Sequence, residues 1–380
     1  MKNIFIAISI LFFITSCSQE ESILHGNKWD IASILSSEKT ATLSQLYDSI
    51  QYIPLETTDS SLLAARAYVF YADEENLLIR SKNLVYRFNE QGKFLNTSGQ
   101  IGNGPAEYSI LYSISVDKDN ACLLFYVGQK KIQFWNFDGT FQKEINLQSE
   151  GEITNLILTR DHKILAENRT YSEAGLKTSI CYFNLDGELL YEQMLTKDNQ
   201  QVNIILQTVP ILYPFQQEVK YKDLYTNQLL RYNHDSLTVD SYFDLGIYTP
   251  TRELIEDVNQ KQTLMNEYAQ IVDIKESNLY FYLLIIYEHE LKGLILDKEK
   301  GCLVGNQSIK MPQQGGGIPN DYLKQAYFWP SYADGNNQLY GLIPAEQITT
   351  EEMETIQEKD GGDTGWQEDA NPVVIRIIEK

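Results

Sequence analysis

Apolar residues fall in short runs separated by clusters of Asp, Asn and Gly. The first clear set is Ala67–Phe70, Leu77–Arg80, Leu84–Asn89 and Lys93–Thr97. Runs this short, bounded by turn formers and rich in aromatic and branched residues, predict strands. The set repeats as Ser113–Val116, Leu123–Tyr126, Ile132–Asn136 and Phe141–Leu147. One turn marks the register: Asn89-Glu90-Gln91-Gly92, Asn136-Phe137-Asp138-Gly139, Asn184-Leu185-Asp186-Gly187 and Asn233-His234-Asp235-Ser236. Its fourth positions step by 47, 48 and 49 residues. A second turn keeps time with it, since Asp73, Asp117 and Asp161 lie 44 residues apart. Asp and Asn suit such turns because their side chains bond nearby backbone and tolerate left-handed dihedrals. Four strands per period of this length predict an all-β propeller of four-stranded antiparallel blades.

Blade three is expected over Ile153–Leu195 and blade four over Ile204–Leu245. Thr251–Ile271 then breaks the period. Leu254, Val258 and Leu264 stand at helical spacing there, and Thr251 is placed to cap the helix. Blade five resumes at Ile271. A glycine-rich corner, Gly102-Asn103-Gly104-Pro105-Ala106-Glu107-Tyr108, is matched by Gly315-Gly316-Gly317-Ile318-Pro319-Asn320-Asp321-Tyr322. Pro105 and Pro319 are 214 residues apart, a span that four repeats and the helical insertion fill. The corners therefore join blades one to two and five to six, and the blade count is six. Blade six is expected to begin at Tyr327-Phe328-Trp329 and to end with Val373–Ile378, one strand short. Ser49–Leu55 is the strand left over. Pairing it with Val373–Ile378 would close the ring and remove its free edges. Ala345–Asn371 holds nine acidic residues and one lysine. It is expected as a loosely packed loop, helical at Thr350–Gln357.

At the N-terminus Lys2 precedes the apolar run Ile4–Ile14. About 11 residues are too few for a bilayer span, which takes ~20. The run ends in Ile14-Thr15-Ser16-Cys17, which resembles the bacterial lipobox. Residues 1–17 are thus expected as a signal peptide and Cys17 as the lipidation site, with the membrane as a partner through that lipid. Ser18-Gln19-Glu20-Glu21 resembles the acidic export signals of Bacteroidetes surface lipoproteins. The expected location is the outer membrane, facing the periplasm or the surface. Residues 18–44 are polar and read as a tether with a short helix near Trp29–Leu35.

Composition narrows the chemistry. The net charge of −21 argues against nucleic acid, because phosphate binding needs a basic patch. Cys122, Cys181 and Cys302 lie among apolar strand residues and suggest no disulfide or zinc framework. His25, His162, His234 and His289 show no metal-ligand spacing. No nucleophile elbow or P-loop is present. No catalytic residue, metal or cofactor is expected, and the chain reads as a monomer.

A strand ending in Asn-x-x-Gly-Lys-Phe, followed by Gly99 to Tyr108, resembles the six-bladed β-propeller lipoproteins of Bacteroides and relatives. It is similar, more distantly, to NHL-repeat propellers. The resemblance covers Ser49 to Lys380 and implies an exported, lipid-anchored propeller. Ser236 in blade four and Lys298-Glu299-Lys300-Gly301 in blade five depart from the repeated turn.

Propellers place ligands at the axial mouth, where inner strands and connecting loops converge. Arg66, Glu107, Tyr108, Asp321, Tyr322, Trp329 and Tyr332 are the candidates. Tyr108 and Tyr322 are expected to wedge adjacent blades apart at the corners. Arg66, Trp329 and Tyr332 are expected nearest the ligand, because a cation and aromatic faces can hold a sugar or an anionic group. The first insertion is expected to cover part of the mouth. Three functions fit: a binding or scaffold module with a glycan or protein partner; a hydrolase or lyase with an axial metal; and an accessory of a surface glycan-uptake system.

Overall fold

The computed structural model describes residues 24–172, 175–197, 210–223, 226–233, 236–309, 316–324, 326–360 and 370–379. Six antiparallel sheets follow one another around a ring. From the inside outwards, blade one is Tyr68–Ala72, Leu77–Ser81, Leu84–Phe88 and Phe94–Ser98. Blade two is Ser113–Asp117, Cys122–Tyr126, Lys131–Asn136 and Phe141–Asn146. Blade three is Glu152–Leu158, Ile164–Ser172, Gly175–Phe183 and Leu189–Lys197. Blade four is Ile211–Phe215, Glu218–Lys222, Gln228–Asn233 and Ser236–Asp244. Blade five is Gln270–Glu276, Tyr280–Tyr287, Glu290–Asp297 and Cys302–Ser308.

Blade six is Tyr332–Ala333, Gln338–Ile343, Val373–Glu379 and, as its outer strand, Tyr47–Pro54. The ladder from Val373–Pro54 to Ile378–Ser49 closes the ring, as the unpaired strands required. Blade six does not begin at Tyr327. Tyr327–Phe328 pairs with Ile318–Pro319 in a small separate ladder. Pro330 follows it, and proline cannot donate to a continuing ladder. Each blade interface has its own apolar core, such as Leu124, Phe134, Leu156 and Phe183 between blades two and three.

The repeated turn is explained by two demands on one residue. Asn89 Oδ1 accepts from the backbone of Gln91 (3.0 Å) and Lys93 (2.8 Å), and Asn184 repeats this with Asp186 and Glu188. Gly92, Gly139 and Gly187 have φ of 79°, 87° and 88°. A Cβ on them would fall 2.0, 2.4 and 2.3 Å from the carbonyl oxygens of Pro54, Thr97 and Asn146. Each of those carbonyls belongs to the outer strand of the preceding blade or its end. Glycine is therefore needed for the turn and for the docking of one blade on the next.

Strands alternate in direction, so all inner strands start on the same face. The blade-to-blade connections and the loops joining second to third strands share that face, here the connection face. The repeated turns occupy the other, the turn face.

Residues 24–44 do not behave as a tether. Lys28–Asp30 adds in parallel to the outer strand of blade four, and Leu24–His25 pairs with it. Trp29, Ile31, Leu35 and Leu43 are buried. A 3-10 turn over Ala32–Ile34 stands where the short helix was expected, and helix α1 (Leu43–Leu46) follows after eight more residues. Trp29, Ile31 and Leu35 cover the edge of blade four and fill the core between blades four and five, and Leu43 joins the core beside blade six. Residues 18–23, Cys17 and the signal segment lie outside the described residues.

The acidic stretch also packs more firmly than its charge suggests. Helix α4 (Thr350–Asp360) turns Met353 and Ile356 into the core beside blade six. Thr349 and Glu352 form a reciprocal cap at its start, with Glu352 accepting at 2.9 Å from the Thr349 backbone and Thr349 Oγ1 accepting at 3.3 Å from the Glu352 backbone. Glu351, Glu354 and Glu358 lie on the solvent side. In the first insertion, α2 (Arg252–Glu256) is capped by Thr251 Oγ1, which accepts from Leu254 N at 3.3 Å. α3 (Lys261–Glu267) packs on the second strand of blade five, and Met265 O accepts from His289 N.

Candidate functional site

The connection face gathers the corners, both insertions and the starts of the inner strands. Its first corner is built from within. Glu107 accepts from Gly104 N at 2.7 Å and from Gln100 Nε2 at 3.0 Å, which ties the loop into a tight ring. Tyr108 is buried edge-on against Phe125 and donates to the Asn83 carbonyl at 2.5 Å. Burial raises its phenol pKa well above the usual range. Tyr108 is thus a wedge between blades one and two, and Glu107 is a loop brace.

The second corner differs. Asp321 accepts from Thr42 Oγ1 (2.9 Å), Ser44 N (3.0 Å) and the Ser44 hydroxyl, and so caps α1. Tyr322 is 59% exposed and lines a groove with Ile50 and Ile356 rather than wedging blades apart. The glycine corners therefore share a sequence pattern without sharing the tyrosine's role.

Of the three residues expected nearest a ligand, two are engaged in packing. Trp329 meets Tyr282 edge-on at 6.0 Å and lies over Gly293, where any Cβ would strike it at 2.5 Å. It fills space between blades five and six. Tyr332 contacts Tyr71 at 6.1 Å and Tyr340 at 5.9 Å, joining blade six to blade one. Burial pushes its phenol pKa up. Arg66 is exposed on the connection from blade six to blade one, with φ of 66°. It occupies the third position of a turn in which Ala67 N donates to the Ala64 carbonyl. Such a position normally selects glycine. A long cation held there costs about 1 kcal/mol of backbone strain.

Two residues that the sequence did not single out lie on the same face, at the inner strands of blades one and two. Tyr68 opens the inner strand of blade one and is 39% exposed; Tyr112 precedes the inner strand of blade two and is 54% exposed. Tyr112 lies over Gly128, whose φ is 85° and whose missing Cβ would meet the ring at 2.7 Å. Arg80 reaches the Tyr68 hydroxyl at 3.4 Å and the Tyr112 carbonyl at 3.2 Å, and also donates to the Leu111 carbonyl. It ties the Tyr68 hydroxyl to the backbone that carries Tyr112 across the seam between blades one and two. Ile101 and Ile110 on the same corner are also half exposed. Arg66 and two exposed aromatic rings thus lie on the connection face at blades one and two. The only sequence signal was position: an aromatic residue at or just before the first residue of an inner strand.

Among the described residues no group of three or more His, Cys, Asp or Glu side chains is placed to hold a metal ion.

This architecture defines a six-bladed β-propeller closed by the strand Tyr47–Pro54. The chain belongs to the family described as domain of unknown function DUF4934, whose model matches residues 27–377. Among solved structures, a putative exported protein from Bacteroides fragilis is similar with a TM-score of 0.63 at 18% identity, covering 90% of this chain and 98% of that one. A member of the DUF4221 family from Bacteroides vulgatus is similar with a TM-score of 0.50 at 9% identity, covering 88% and 98%. No curated protein matches the chain.

Proposed function

We propose that this protein is an exported, lipid-anchored binding module of the cell envelope that holds a saccharide at the mouth of its propeller. The observation that carries the binding assignment is the group Arg66, Tyr68 and Tyr112 on the connection face. Aromatic rings fixed by their neighbours bind a sugar face at little entropic cost, and a guanidinium adds directed hydrogen bonds. Arg66 and Tyr112 are both exposed; Arg66 stands at a positive-φ turn position and the Tyr112 ring is seated over Gly128. Export is supported by the short apolar segment and by the likeness to a protein described as a putative exported protein of Bacteroides fragilis, and anchoring by Cys17 at the end of that segment.

A glycan array probed with purified Cys17→Ala protein tests the binding reading; selective retention of a glycan class is expected, and a blank array would reject it. Membrane fractionation of the same variant tests the anchor. Cys17→Ala is expected to leave the membrane fraction and to lose the mass of the acyl groups. Unchanged fractionation and mass would reject lipidation at this cysteine.

A further inference from the structure

The second strand of a blade is covered on both faces by its neighbours. In blades two and five it is accordingly apolar, as Cys122–Tyr126 and Tyr280–Tyr287. In blade four it reads Glu218-Val219-Lys220-Tyr221-Lys222. Val219 and Tyr221 turn to blade three and fill the core there. The opposite face turns Glu218 and Lys220 towards blade five, and Lys220 is only 3% exposed. Burying an ammonium group costs several kcal/mol unless it is partnered. Here the partners sit around an open space.

A cavity of about 420 Å³ lies between blades four and five, bounded by Phe215, Lys220, Arg231, Asp240, Glu276 and Lys298. The N-terminal hairpin closes one side with Leu24, Gly26 and Asn27, above Trp29. Its size falls in the range of small-molecule sites, ~300–1,000 Å³. Three carboxylates line it, and lysines hold them: Glu218 Oε2 stands 3.7 Å from Lys220 Nζ. Asp240 accepts from Lys220 at 2.7 Å and from Ser241 Oγ at 3.2 Å. Glu276 accepts from Lys298 at 2.7 Å and from the Tyr213 hydroxyl at 2.8 Å. The donors are not exhausted. Arg231 commits its Nε to Thr238 at 3.3 Å, and among the described residues neither terminal amino group has a hydrogen-bond partner. Lys298 spends two N–H bonds, on Glu276 and the Ser277 carbonyl, and retains a third. The Phe215 ring carries Lys298 Nζ at 4.5 Å and Lys220 Nζ at 5.5 Å, which holds both ammonium groups in place. The cavity therefore offers unspent cationic donors, on Arg231 and Lys298, beside three carboxylates that lysines already hold.

We propose that this cavity binds a small organic oxyanion: a carboxylate or sulfate carried on a body of amino-acid or monosaccharide size. Arg231 presents a fork to the two oxygens, and Lys220 and Lys298 supply the charge beneath. The site lies across the ring from the aromatic mouth and is independent of it.

Calorimetric titration of the intact mature chain with glutamate, glucuronate, galactose 6-sulfate and glucose tests this directly. At least one of the three anions is expected to bind, with affinity falling as salt rises, and glucose is expected not to bind. The amino-acid and sugar arms separate the two sources of the oxyanion. Arg231→Ala is exposed enough to fold and is expected to weaken binding at least ten-fold at unchanged melting temperature, with partial recovery in Arg231→Lys. Tyr112→Ala is expected to leave it intact. The proposal is overturned if none of the anions binds, if glucose binds equally well, or if Arg231→Ala retains the parent affinity.

Discussion

At the scale of single residues, backbone conformation and close approach can be separated by experiment. Gly139 and Gly26 both have positive φ, 87° and 67°. A Cβ at Gly139 would overlap the Thr97 carbonyl, whereas one at Gly26 meets nothing within 4 Å. Gly26→Ala should cost only the conformational strain, about 1 kcal/mol, and Gly139→Ala about 1–3 kcal/mol more, because it pushes blade two off blade one. Urea unfolding of the two variants checks this; equal losses would show that the turn alone selects glycine. A second residue makes stability depend on pH. Glu379 is buried, accepts from the Tyr282 hydroxyl at 2.7 Å, and is raised by burial from 4.5 to about 7. A raised acid pKa means that the fold favours the protonated form. Its contribution is full below about pH 4.5 and declines as pH rises through 7, by about 3 kcal/mol at most. Glu379→Gln should lose that decline, so its advantage over the parent grows between pH 4.5 and pH 8. Parallel pH profiles for parent and variant would contradict the assignment. The repeat-bearing residues were legible because Asn and Gly each answer one local demand. Trp329 and Tyr332 were less legible as site residues, because an aromatic ring that packs between blades and one that meets a ligand look alike in a sequence.

At the scale of elements, the clearest departure from the sequence pattern is the segment from Leu24 to Leu46. Its apolar residues are spaced for no regular helix or strand, so periodicity gave no sign that they pack. Their target is not local: Trp29 meets Phe281 edge-on at 6.0 Å, far along the chain. Trp29→Ala should therefore cost about 3–5 kcal/mol, as expected for a large core side chain. A change below 1 kcal/mol in chemical denaturation would restore the tether reading. The acidic helix α4 was legible as a helix but not as a packed one, since two buried residues, Met353 and Ile356, outweigh the charge on its other side. Closure was the most legible element, because an unpaired strand at one end and an incomplete blade at the other leave one solution. Deleting residues up to Glu56 removes that strand. The truncated chain is expected to lose its soluble monomer, as judged by size-exclusion chromatography; a cooperative melt at the parent temperature would show that another element closes the ring.

At the scale of the whole molecule, alternation of strand direction sorts the loops into two populations. The turn face is regular, since its hairpins carry the Asn and Asp brackets and dock blade on blade. The connection face is free of that duty and holds the insertions, the corners and the exposed rings, consistent with binding residues being carried on loops over a rigid scaffold. The blade count and the ring could be read from the period of one turn. The mouth could not, because its members come from connections that obey no repeat. The central claim is that a ligand is held there by Arg66, Tyr68 and Tyr112. The most direct measurement is the affinity of the parent protein and of a Tyr68→Ala/Tyr112→Ala variant for the glycan retained on the array. Both rings are substantially exposed, so the variant is expected to melt with the parent while its affinity falls at least ten-fold. Equal affinity in the two proteins would contradict the account.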